Sequence, residues 1–167
     1  NSDFGLTRYN ADGSLDTTFG PSTNGIVTTP VGAGSDWGYS VEVQPDGKIL
    51  VAGQSNNGSD NDFALVRYNS NGTLDNTFGL AGTGSVTEPL RAASDVIRGM
   101  KLQADGKVVV VGSSFNGSNF DFAVARFNAD GTLDTTFDTD GKLTTAIGSD
   151  RDEAYGVVIQ DDGKIVV

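Results

Sequence analysis

A unit that returns three times constrains this chain more than any other feature. DFGLTRYNADGSLDTTFG begins at Asp3, DFALVRYNSNGTLDNTFG at Asp62 and DFAVARFNADGTLDTTFD at Asp121, 59 residues apart both times. Periods of about 20–50 residues usually mean solenoids, propellers or arrays, and this period lies just above that window. The 167 residues are therefore read as one repeat domain, with repeats over about 3–61, 62–120 and 121–167.

Each unit contains a hairpin signal. SVEVQPDGKILVAG (Ser40–Gly53) returns as MKLQADGKVVVVG (Met100–Gly112) and VVIQDDGKIVV (Val157–Val167). Asp-Gly between two β-rich runs marks a tight turn, because Gly accepts the positive φ that such a turn demands. The arms are strand A (Tyr39–Gln44, Gly99–Gln103, Gly156–Gln160) and strand B (Lys48–Gly53, Lys107–Gly112, Lys164–Val167). Strand A alternates, whereas strand B is apolar on both faces and so lies between packed layers. Strand C follows a polar loop (Phe4–Tyr9, Phe63–Tyr68, Phe122–Phe127). It sends Phe63, Leu65 and Arg67 one way and Ala64, Val66 and Tyr68 the other. Strand D is Gly25–Thr29, Gly84–Glu88 and Gly141–Thr145. No window has a 3.6-residue apolar period, which predicts almost no helix. The expected fold is all-β: propeller blades of four antiparallel strands, about three repeats, circularly offset as CD-ABCD-ABCD-AB. A parallel β-helix is the rival, but its coils are usually shorter and would not turn on Asp-Gly at fixed places.

The opening CD and closing AB are complementary halves of one blade. Two expectations follow: the piece is cut from a longer array, or two copies join AB to CD in a six-bladed ring. In either case, the open edges seek partners, in other repeats of the same longer chain or in a second copy.

DFALVRYNxxGxLDxTFG and VxxQxDGKIxVAG together cover nearly the whole chain, and on these motifs it resembles the bacterial delta-sixty repeat family. The third copy departs from the pattern, with Asp138 where Gly20 and Gly79 stand. The resemblance implies a β-propeller fold and a bacterial, secreted or cell-surface setting. It implies no particular activity, because a shared fold supplies none.

Composition narrows the function classes. A net charge of −11 argues against nucleic acid, whose phosphates would be repelled, and disfavours anionic lipid. The chain has no Cys, so disulfides and thiol chemistry are out; it has no His, the commonest general base and transition-metal ligand. No apolar run approaches the roughly 20 residues of a membrane span. The chain begins at Asn1 rather than Met, which is read as a processed piece whose targeting signal is out of view.

Residues identical in every repeat answer a packing problem that every blade shares, whereas residues found once are better candidates for function. Arg8, Arg67 and Arg126 recur, and each is expected to pair with a repeated Asp and hold blade to blade. A ligand-gripping Arg cluster is the alternative. Asp36, Asp95 and Asp152 recur in the link entering strand A, where they could form a cation ring, calcium being the ion such carboxylates would take. The competing reading is a cap on the link's own N–H groups. The Asn-x-Asp/Asn-Gly stretches at 10–13, 69–72 and 128–131 miss the spacing of a calcium loop and are read as turns. No catalytic residue or cofactor is assigned. The partner-binding candidates are Trp37, Arg91, Arg98 and Arg151, singletons at the D-to-A links; Trp37, the one tryptophan, could stack on a sugar or anchor a protein.

The resulting expectation is a non-enzymatic extracellular module with a structural or adhesive role toward protein or glycan. One alternative is a subunit of a filament built by strand pairing between chain ends. Another is a carbohydrate-active propeller using Asp and Glu carboxylates, which would need a paired acid and base. Only three Glu exist, and none sits in an obvious pair.

Overall fold

The computed structural model describes residues 1–80 and 82–167. The strands are β1 (Phe4–Thr7), β2 (Ile26–Thr29), β3 (Asp36–Val43), β4 (Ile49–Asn56), β5 (Asn61–Tyr68), β6 (Ser85–Glu88), β7 (Asp95–Leu102), β8 (Val108–Phe115), β9 (Phe120–Phe127), β10 (Lys142–Thr145), β11 (Val158–Ile159) and β12 (Ile165–Val166). Among the described residues no helix forms. The strands make two whole antiparallel blades, β3-β4-β5-β6 and β7-β8-β9-β10, flanked by the half-blades β1-β2 and β11-β12. The CD-ABCD-ABCD-AB order is thus the observed one.

The A-to-B turn shows why Asp-Gly recurs. Gln44 N–H donates to Lys48 O at 2.8 Å and Gly47 N–H to Gln44 O at 2.9 Å, with Gly47 at φ 83°. A three-residue loop of this kind needs a left-handed residue after its turn. Asp46 Oδ1 accepts from Lys48 N–H at 3.1 Å, stiffening the corner. The Asn10, Asn69 and Asn128 stretches bond in the same pattern, with Gly13, Gly72 and Gly131 in Gly47's place.

The central strands are buried on both faces, and three apolar layers result. One layer, between the two whole blades, contains Leu50, Ala52, Phe63, Leu65, Val108, Val110, Ala123 and Ala125. A second packs Phe4 and Val27 of the first half-blade on Ile49, Val51, Ala64 and Val66. The third sets Val109, Val111 and Val124 against Ala154 and the last half-blade. Strand C divides its side chains between layers in the alternation read from sequence.

The strand ends differ from the expected ones. Strand A begins at Asp36 and Asp95, before the expected Tyr39 and Gly99, and contains a β-bulge that shifts the register between Gly38 and Ser40 and between Ile97 and Gly99. An extra residue breaks the two-residue alternation on which sequence reading relies. Strand B runs on through Gln54–Asn56 and Ser113–Phe115, because the ladder with strand C continues to Asn56↔Asn61 and Phe115↔Phe120 whatever the side chains. In the last half-blade strands A and B shrink to two residues each.

Candidate functional site

Two groups of side chains stand out, one repeated in every unit and one not. In the repeated group, Arg67 Nε binds Asp75 Oδ2 at 2.7 Å and its Nη1 reaches Ala129 O of the next blade at 2.5 Å. Its guanidinium lies 4.5 Å from the Phe78 ring centroid. Lys48 adds a 2.9 Å ion pair to the same carboxylate oxygen. Phe78 is fully buried, and the Gly79 N–H donates to Asp130 O at 2.8 Å. A Cβ on Gly131 would come within 2.9 Å of the Phe78 ring, so the next blade's turn must present a glycine there. Arg, Asp, Phe and the following amide therefore form a latch that grips the neighbouring turn.

The same latch joins the first half-blade to the first whole blade. Arg8 binds Asp16 at 2.7 Å and Ser70 O at 2.6 Å, with its guanidinium 4.4 Å from the Phe19 ring. Gly20 N–H donates to Asn71 O at 2.8 Å. Arg126, Asp134 and Phe137 repeat the inner half of the arrangement. Burial raises the Asp75 carboxyl, but hydrogen bonds from Thr77, Lys48 and Arg67 outweigh it and hold the group well below the usual carboxylate range. Lys107, then Thr136 and Arg126, hold Asp134 down likewise.

Each link aspartate turns to its own loop. Asp36 accepts from Val31 N–H at 2.8 Å and Gly32 N–H at 3.2 Å, Asp95 from Leu90 N–H at 2.7 Å, and Asp152 from Ile147 and Gly148 N–H at 2.8 and 3.0 Å. The structure does not bring these three together, and among the described residues no group of three or more Asp and Glu is placed to hold a metal ion. Burial pushes the Asp95 carboxyl up even though its link amides, bonded to it, favour the charged form.

The unrepeated group sits at the strand-A bulges. The bulges leave Tyr39 and Arg98 outside the ladder, and Tyr155, three residues after Asp152 as they are after Asp36 and Asp95, is the third counterpart. Arg98 lies 5.0 Å from the Tyr39 ring centroid. Arg151 Nε binds Glu153 Oε1 at 2.7 Å, its guanidinium packs 4.5 Å from the Phe120 ring, and Tyr155 donates its hydroxyl to Glu153. Burial raises the Glu153 carboxyl, but Tyr155 and Arg151 bring it below its ordinary value; the bond to that carboxylate pushes the Tyr155 phenol up. Trp37 is 38% exposed beside this row, and Tyr39 and Tyr155 are exposed too. Of the sequence candidates, the structure gathers Arg98 and Arg151 here, with Trp37 two residues from Tyr39. Arg91 is engaged elsewhere, bound to Asp121 at 3.2 Å and to Thr144 at 2.6 Å. Sequence reasoning missed Tyr39 and Tyr155. Their signal was positional: Tyr, Arg and Tyr hold one place in three units that are otherwise nearly alike.

The chain belongs to the family described as domain of unknown function (DUF5122) beta-propeller, whose pattern matches residues 1–19, 44–78 and 103–137. Each matched segment ends on a latch phenylalanine or its counterpart, Phe19, Phe78 and Phe137. Tyr39, Arg98, Arg151 and Tyr155 all fall outside the matched segments. No curated protein matches the chain. Among the described residues no helix is long and apolar enough to cross a membrane.

Proposed function

We propose that this chain is a non-enzymatic extracellular repeat module of the delta-sixty type, structural or adhesive, which meets a protein or glycan through its strand-A bulges. The observation that carries the proposal is the row Tyr39, Arg98 and Tyr155. Exposed aromatic rings beside arginine lie where the repeats differ and outside the family's shared segments. Aromatic faces and guanidinium forks are the groups that anchor sugars and protein partners. The repeated polar residues support the same reading, because they are taken up in holding blades together. Glu42, Glu88 and Glu153 support it also: each is ion-paired, to Lys101, Lys142 and Arg151 in turn. A glycan array and a pulldown, run with the wild type and with Tyr39→Ala/Tyr155→Ala, test the proposal. Binding that the double variant loses is the expected result. Release of reducing sugar by the wild-type protein would overturn it.

A further inference from the structure

Ten of the eleven Lys and Arg side chains hold a carboxylate. Arg98 is the exception. Among the described residues its guanidinium makes no ion pair and no hydrogen bond, and its Nε is buried with no acceptor. A cationic donor taken half out of water without an acceptor loses hydration and gains nothing in exchange. The blade itself does not ask for an arginine at this place, since Tyr39 and Tyr155 fill it in the adjoining units. Arg98 also has the chain on both sides. Its guanidinium lies 5.0 Å from the Tyr39 ring centroid, and a Cβ on Gly99, the next residue, would come within 2.9 Å of Tyr155 O. The missing acceptor is therefore not owed to an absent blade. The carboxylates of strand A are already taken: Glu153 Oε1 accepts from Arg151 and Oε2 from the Tyr155 hydroxyl, and Glu42 is paired with Lys101.

We infer that the ligand met at the strand-A bulges is an acidic saccharide, and that Arg98 receives its oxyanion, a carboxylate or a sulfate ester. The inference rests on the reading of the bulge row given above and names the chemistry that row selects. A guanidinium fork meets either oxyanion with two parallel N–H donors. Stacking on Tyr39 already fixes the plane of the fork, so little freedom is lost when it engages. One unpaired cation calls for one negative charge. An acidic peptide or a polyanion would bring further charges against a chain of net −11. A sugar surrounds its single charge with neutral hydroxyls and C–H faces, and Tyr39 and Tyr155 offer exposed rings for those faces.

NMR titration of the whole chain tests the inference with four sugars: a disaccharide ending in glucuronate, its methyl ester, 6-sulfated lactose and plain lactose. At least one acidic sugar is expected to bind tenfold or more tighter than its neutral counterpart, and which one does so tells carboxylate from sulfate. Arg98→Tyr installs the side chain that the adjoining units carry, and it is expected to close that gap; if it fails to fold, Arg98→Gln makes the same comparison. Equal affinity for acidic and neutral sugars overturns the inference, as does a preference that the folded variant retains. Tighter binding of a glutamate-rich peptide than of either acidic sugar overturns it too. If the neutral sugars bind as well as the acidic ones and Tyr39→Ala/Tyr155→Ala loses them, this inference falls while the reading of the bulges stands. If no sugar binds and the pulldown captures nothing that the double variant loses, both fall.

Discussion

The boundaries between blades inside the chain and the two outer faces are built from nearly the same residues, yet the first are closed and the second open. Tyr68 is fully buried where Tyr9 is 60% exposed, and Met100 is 5% exposed where its counterpart Val41 is 55% exposed. The side chains do not decide the difference; the presence of a following or preceding blade does. A blade's faces are apolar because another blade is meant to cover them, so stability in such a chain is a sum of neighbour interfaces. The comparison can be pressed by making one substitution in equivalent places.

The largest effect is expected at the latch phenylalanines. Phe78→Ala should cost about 3–5 kcal/mol, the range for emptying a buried aromatic site, measured by urea unfolding; Phe137→Ala should cost clearly less. Equal losses would mean that the next blade's turn contributes nothing. Arg67→Ala leaves Asp75 with Lys48 alone and also loses the bond to Ala129 O of the next blade, and should cost about 3 kcal/mol; Arg126→Ala leaves Asp134 with Lys107 in the same way but loses no bond to a neighbouring turn, and should cost less. The pH dependence follows the same carboxylates. Because the folded state holds the Asp75 and Asp134 carboxyls below their unfolded values, the stability they supply is fully present above the ordinary carboxylate range near 3.8 and is lost as pH falls through the depressed folded values. Asp95 is raised, so its ionisation costs stability as pH climbs, and Asp95→Asn should flatten that part of the profile. Unfolding midpoints between pH 2 and 7 for the wild type, Asp75→Asn and Asp95→Asn should therefore show slopes altered in opposite senses.

Gly131→Ala against Gly13→Ala sharpens the comparison further. Both glycines are left-handed, at φ 92° and 86°, so both variants bear about 1–2 kcal/mol of backbone strain. Only the first meets a ring at 2.9 Å, which should add about 1–3 kcal/mol of overpacking. The smallest expected effect is Tyr68→Phe, about 1 kcal/mol for the lost bond to Thr29, while Tyr9→Phe should leave the unfolding midpoint of the dilute monomer unchanged.

Much of this architecture was legible in the sequence because each strand repeats under the same constraints. The Asp-Gly corners, the doubly apolar strand B and the split faces of Phe63–Tyr68 give the blade and the order of its strands. The strand-A bulge was not legible. It leaves no composition signature, and it is what lifts Tyr39 and Arg98 out of the ladder. The arginine–aspartate pairing could be expected from repetition, but its third partner, a backbone carbonyl 62 residues ahead, bears no side-chain identity to read. Arg91 was singled out for being unrepeated, yet it is bound within the fold. Its opposite number Gly32 leaves Asp62 without an arginine, and burial, opposed by a bond from Asn57, pushes the Asp62 carboxyl up.

Residue-resolved hydrogen exchange on the dilute monomer reaches the central claim most directly, because the latch is made partly of backbone amides. The Gly79 and Gly20 amides, each bonded to a neighbouring turn, should exchange slowly, and the Asp138 amide, their counterpart without such a bond in the structure, should exchange orders of magnitude faster. Equal protection at Gly79 and Asp138 would contradict the account, since the grip would then owe nothing to the blade beside it.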